Sequence, residues 1–95
     1  MSNLIWRVEV IVMPKDGVSD PQGEAVKGGL GVLGITGVKR VRVGRHLQVD
    51  VEATDEQTAR ETVVVMAEEL LANLVIEQYE ISAVHSLENV GQRDG

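Results

Sequence analysis

The chain has no cysteine and no phenylalanine, and its aromatic residues are one tryptophan, Trp6, and one tyrosine, Tyr79. Without cysteine there are no disulfides, no thiolate metal ligands and no thiol nucleophile. Two aromatic rings offer too little stacking surface for several bases, which disfavours RNA binding. Positive charge is scarce as well: nine lysines and arginines stand against fifteen aspartates and glutamates, a net charge of −6 that repels nucleic acid and anionic membranes unless a local patch reverses it. Nowhere do about 18 apolar residues run together, and the start, Met1-Ser2-Asn3-Leu4-Ile5-Trp6-Arg7, lacks a basic region followed by an apolar run of signal length. A soluble, cytoplasmic protein without nucleic-acid or membrane partners is expected.

What remains is aliphatic. Of the 95 residues 43% are hydrophobic, most of them Val, Leu, Ile and Ala, and 25% are charged, a balance that supports folding. A domain of this length buries only about 60 to 65% of its unfolded surface, so the core is thin. The expected layout is one domain over residues 1–84 and a polar, mobile tail over 85–95, which ends in Gly91-Gln92-Arg93-Asp94-Gly95.

Trp6, Val8, Val10 and Val12 alternate with Arg7 and Glu9, the period-2 pattern of a half-buried strand. Ile5, Ile11 and Met13 flank that charged pair on the other face and are expected to be covered by association, because so short a chain cannot build two cores. Pro14-Lys15-Asp16-Gly17 reads as a turn, and Asp20-Pro21 as a helix start, with Asp20 as cap and Pro21 in the first turn. Val26, Leu30 and Leu33 then form a stripe that Gly34 ends, although Gly23, Gly28, Gly29 and Gly31 weaken the helix. In residues 38 to 53, Val41, Val43, Leu47, Val49 and Val51 share one parity. This fits either a hairpin with the loop Gly44-Arg45-His46 or one long strand bent at Gly44. Thr54 and Gln57 form a capping box for a second helix, whose stripe is Ala59, Val63, Met66 and Leu70 and which ends near Asn73; a last strand spans Val75 to about Val84. The fold class is α+β, a ferredoxin-like two-layer sandwich in which an antiparallel sheet carries two helices on one face. Its order is β-α-β-β-α-β, or β-α-β-α-β with the bent second strand.

Gly29-Leu30-Gly31-Val32-Leu33-Gly34 matches G-x-G-x-x-G, but it falls at the end of a helix, where the dipole is negative, and it does not follow a strand. These glycines read as packing and stop residues. Lys39, Arg40, Arg42 and Arg45 place four of the nine basic residues within seven positions. They suit either a phosphorylated ligand or acidic partner surface, or a solvated strand edge. His46 and His85 have no acidic or second His partner at metal-ligand spacing, so neither a metal site nor a hydrolytic centre is expected, and no catalytic residue is assigned. A stand-alone regulatory domain that binds a small anion at the basic turn is the alternative on this reading.

The segment Val18 to Val26 with its Asp20-Pro21-Gln22-Gly23 start, the element Val41-Arg42-Val43-Gly44-Arg45, and Leu70-Leu71-Ala72-Asn73 followed by Val75-Ile76-Glu77 and Tyr79 resemble the PurS family in residues, order and spacing. That family supplies the small accessory subunit of phosphoribosylformylglycinamidine synthase, and the likeness spans roughly residues 5 to 84. Leu74, where the family commonly has Pro, and His46, where it commonly has an aromatic, depart from the pattern. The resemblance implies a non-catalytic subunit of a purine-biosynthetic ligase that converts ATP, formylglycinamide ribonucleotide and glutamine to the amidine, ADP, phosphate and glutamate. It implies a homodimer or higher homo-oligomer that bridges the glutaminase subunit (PurQ) and the ligase subunit (PurL) and supports ammonia transfer. No cofactor is expected in this chain, and ATP and Mg belong to the ligase subunit. Arg42, Gly44 and Arg45 become candidate partner or phosphate contacts. Asp20, Pro21, Gln22, Gly23, Asn73, Glu77 and Tyr79 are motif residues with structural roles.

Overall fold

The alternation in the first segment forces it to extend, because only an extended chain sends Val8, Val10 and Val12 to one side. In the computed structural model, which describes residues 4–87, these three valines are fully buried. They lie on β1 (Leu4–Pro14), the central strand of a three-stranded antiparallel sheet in the order β2-β1-β3. Strand β2 (Arg45–Ala53) pairs Val49 with Val8 and Leu47 with Val10, and β3 (Glu77–Ser86) pairs Tyr79 with Val12 and Val84 with Val8. The indole N–H of Trp6 donates to the Ala53 carbonyl at 3.1 Å, which closes the β1–β2 edge.

One helix covers this side of the sheet. Helix α2 (Glu56–Met66) buries Ala59 and Val63 against the valines. Its start lies one residue from the expected capping box: Asp55 is the cap and accepts the Thr58 N–H at 2.8 Å. The helix ends in a π turn over Ala67–Leu71. The extra residue in that turn rotates the side chains after it, so that Ala67 is buried while Leu70, expected on the core stripe, is 82% exposed.

Helix α1 (Pro21–Val32) starts at the expected cap, with Pro21 in its first turn, and ends before Gly34, which lies in the left-handed region at φ 84°. The α+β class, the antiparallel sheet and the two helices agree with expectation. The first helix, however, stands off the core: Gly23 is its only buried residue, Leu30 is half-buried, and Val26 and Leu33 are exposed. Residues 35–44 run back from α1 without entering the sheet and β2 begins at Arg45, so the order is β-α-β-α-β: the second arm of the expected 44–46 hairpin is β2 itself, its first arm does not form, and no long strand bends at Gly44. The chain is consequently elongated, with extents of 57 × 33 × 17 Å. Its radius of gyration is 17.6 Å, against about 12 Å for a compact domain of this length. Strand β3 continues to Ser86, two residues past Val84. The rest of the expected tail, from residue 88 on, lies outside the described residues.

Two glycines are demanded by close approach. A Cβ on Gly23 would meet the Val41 carbonyl, and one on Gly44 would meet the Val12 carbonyl and the Met13 side chain. Gly28 has open space around its Cβ position. Gly23→Ala should therefore cost about 1–3 kcal/mol in urea denaturation. Gly28→Ala should gain about 0.5–1 kcal/mol by helix propensity alone.

Candidate functional site

The arm formed by α1 and residues 33–44 leaves the sheet and returns to it at one neck, and the motif residues collect there. The Asp20 carboxylate accepts the Gly23 N–H at 3.0 Å through Oδ1 and the Val43 N–H at 2.9 Å through Oδ2. One side chain thus caps α1 and pins the returning segment. The Val43 and Gly23 N–H groups hold Asp20 below the usual carboxylate range, opposed by desolvation and helped least by the nearby Arg42 charge. Arg42 donates to the Pro14 carbonyl at the end of β1 and lies 3.8 Å from Asp16, which also meets Arg40 at 3.3 Å.

On the other side of the neck Arg45 grips Glu77 in a fork, at 2.8 and 3.1 Å, and donates to the Leu71 carbonyl at 2.5 Å. Glu77 in turn accepts the Asn73 N–H at 2.8 Å, and Asn73 Oδ1 accepts the Val75 N–H. Arg45 is the main cause that lowers the Glu77 pKa, and Glu77 the main cause that raises that of Arg45. Lys15 donates to the carbonyl of Leu74 through its side chain and to that of Ile76 through its backbone. The turn between the π turn and β3 is therefore fixed from three directions. Asp20, Pro21, Gln22, Gly44, Arg45 and Glu77 line a cavity of about 310 Å³. Arg40, Arg42, Lys15 and Asp16 line a neighbouring one of about 230 Å³.

The structure thus brings Asp20, Gly23, Arg42, Gly44, Arg45, Asn73 and Glu77 together. Tyr79 lies elsewhere, its hydroxyl donating to Glu68 at 2.8 Å, and that bond raises its pKa. Ile5, Ile11 and Met13 lie on the opposite face of the sheet, where Ile5 is exposed and the other two are half-buried.

That face also holds a cluster that sequence spacing missed. His46 Nε2 lies 2.8 Å from Glu9 Oε1 and His85 Nε2 lies 2.7 Å from Glu9 Oε2. The bond from His85 leads the causes that lower the Glu9 pKa, opposed by desolvation and reinforced by His46. The imidazoles meet opposite oxygens and not a common point, and among the described residues no group of three His, Cys, Asp or Glu is arranged to hold a metal ion. The signal lay in β3, whose apolar positions Tyr79, Ile81 and Val84 change parity after Ile81. A β-bulge there leaves Ser82 without a partner across the strand.

Fold and site define a small α+β protein whose signature residues spend their bonding capacity on its own loops and so give its surface a fixed shape. The PurS family model, described as phosphoribosylformylglycinamidine (FGAM) synthase, matches residues 7–85, and the chain belongs to that family. It is 42% identical over 81 residues to the phosphoribosylformylglycinamidine synthase subunit PurS of Synechocystis, covering 83% of this chain and 81% of the relative. Among solved structures it is similar to the PurS subunit of Thermotoga maritima, with a TM-score of 0.77 and 32% identity over 92% of this chain and 97% of that one. A chain of the PurLQS structure from the same organism matches with a TM-score of 0.74 and 34% identity over 87% and 98%.

Asp20 and Glu77 both have lowered pKa values, so their contribution to stability is complete above the unfolded carboxylate range and is lost as pH falls through their folded values. Stability should drop between about pH 5 and pH 2, and the drop should be shallower in an Asp20→Asn, Glu77→Gln double variant. Thermal melts across that range check this, and parallel profiles would remove both groups from the acid response.

Proposed function

We propose that this chain is the non-catalytic small subunit of phosphoribosylformylglycinamidine synthase in purine biosynthesis, acting as a homodimer that bridges the glutaminase (PurQ) and the ATP-dependent ligase (PurL) and supports ammonia transfer between them. Family membership and the similarity to a chain of PurLQS support the assignment to that complex. ATP and Mg belong to the ligase subunit on this reading, and the complex works in the cytoplasm. No helix of the described residues is long and apolar enough to cross a membrane.

The observation that carries an assembly role is the uncovered arm. Val32 is 88% exposed and Leu33 75%, Val26 and Ile35 are exposed as well, and no α1 residue joins the core. Apolar surface displayed in this way is characteristic of association sites, and a second copy supplies a matching surface by symmetry. Residues 35–44, which form neither helix nor strand, add further backbone outside the sheet. The alternative of a stand-alone anion-binding domain has less behind it, because Arg40 and Arg42 already share the Asp16 carboxylate and Arg45 is already paired with Glu77. Arg42 and Arg45 serve the assembly by holding the neck that presents the arm and by facing partner subunits there.

A Val32→Asp, Leu33→Asp variant should fold, since neither residue belongs to the core, yet sediment as a monomer at concentrations where the parent chain is a dimer. A monomeric parent would end the dimer reading. Glutamine-driven amidine synthesis by the partner subunits should need this chain, and full activity in its absence would overturn the assignment. Charge reversal of Arg42 and Arg45 should weaken complex formation in a salt-dependent way, as a pull-down at two ionic strengths would measure.

A further inference from the structure

The side of the sheet that α2 leaves open is crossed by one carboxylate held between two imidazoles, each on a different outer strand. Glu9 sits on the central strand β1. His46 stands beside Ile11 on β2, and His85 beside Arg7 on β3, so the two rings approach Glu9 from opposite diagonals. This arrangement needs the bulge. Had β3 kept a regular pleat beyond Ile81, Val84 would fall opposite Arg7 on the open side and His85 opposite Trp6 on the core side. With Ser82 left over, Val84 enters the core and His85 turns out toward Glu9. The Ser82 hydroxyl donates to the Glu9 carbonyl at 3.3 Å, so the bulge is anchored on the residue that the imidazoles share.

We propose that Glu9, His46 and His85 form a proton-operated clasp that ties the two outer strands to the central one across the open face. Imidazole ordinarily changes charge between about pH 5 and 8. On the acid side of that range each ring makes a charge-assisted bond to the carboxylate, and the trio carries one net positive charge. On the alkaline side each ring is a neutral donor, which binds more weakly, and the trio is net negative. The other charged groups on this face are Arg7 on β1, paired with Asp50 on β2 at 2.9 Å, together with Glu52 on β2 and Glu80 on β3. The trio is therefore the part of the face that carries imidazoles. The clasp is independent of the assembly proposed above.

In thermal melts at fixed protein concentration, Glu9→Gln should lower the midpoint by about 4 °C at pH 5.5 and by less than about 2 °C at pH 8.5. The difference between the two pH values should vanish when Glu9→Gln is made in a His46→Gln, His85→Gln background. Nitrogen-15 NMR of the parent chain at pH 8.5 should find both neutral rings protonated on Nε2, the atom that faces the carboxylate. An equal cost at both pH values, a pH-dependent cost that persists without the histidines, or rings protonated on Nδ1 would each overturn the clasp.

Discussion

Asp20 holds two N–H groups twenty residues apart in the chain, those of Gly23 and Val43, and the rest of the architecture depends on that double acceptance. A helix start left uncapped has orphan donors, and a loop as long as the one from α1 back to β2 has an entropic cost to close. One carboxylate answers both. Gly23 makes the closure possible, since any side chain at that position would strike the Val41 carbonyl and hold the returning segment off the helix. The neck can therefore be tight while α1 beyond it stands off the core.

Charge is arranged with similar restraint. Although the chain is acidic, all five arginines among the described residues have a carboxylate within 4 Å: Arg7 with Asp50, Arg40 and Arg42 with Asp16, Arg45 with Glu77, and Arg60 with Glu56. Exposed pairs of this kind add little stability singly, so their value lies in orientation. Arg45 shows it best, because its fork on Glu77 and its bond to the Leu71 carbonyl join the start of β2 to the turn before β3. The basic cluster read from the sequence is thus a set of struts in this chain.

Much of the fold was legible because local rules and tertiary demands coincide. Trp6 to Val12 alternate as a strand and are one, and Asp20-Pro21 starts a helix by its own chemistry. Ala59 and Val63 face the core at the expected spacing. The reading departs where structure depends on events that periodicity does not encode. A π turn rotated Leu70 outward, and a bulge exchanged the sides of Val84 and His85. Val41 and Val43 share the parity of β2 without being part of it, because β1 ends at Pro14 and the Val43 N–H is taken by Asp20. The neck was legible only as motif residues, with no hint that Asp20 would meet Val43. The histidine pair was missed because sequence distance says nothing about two outer strands that flank a third.

The leftover residue in β3 has a consequence for how this strand can change through descent. Since Ser82 faces no partner, a related chain lacking one residue at this point would keep Ile81 beside Val10, Ala83 beside Glu9 and Val84 beside Val8. Loss of that residue moves no side chain between interior and exterior, whereas a single insertion or loss further along the strand inverts every later position. Lineages can drift in length at Ser82, and a comparison of such sequences has to open its gap there if equivalent residues are to be matched.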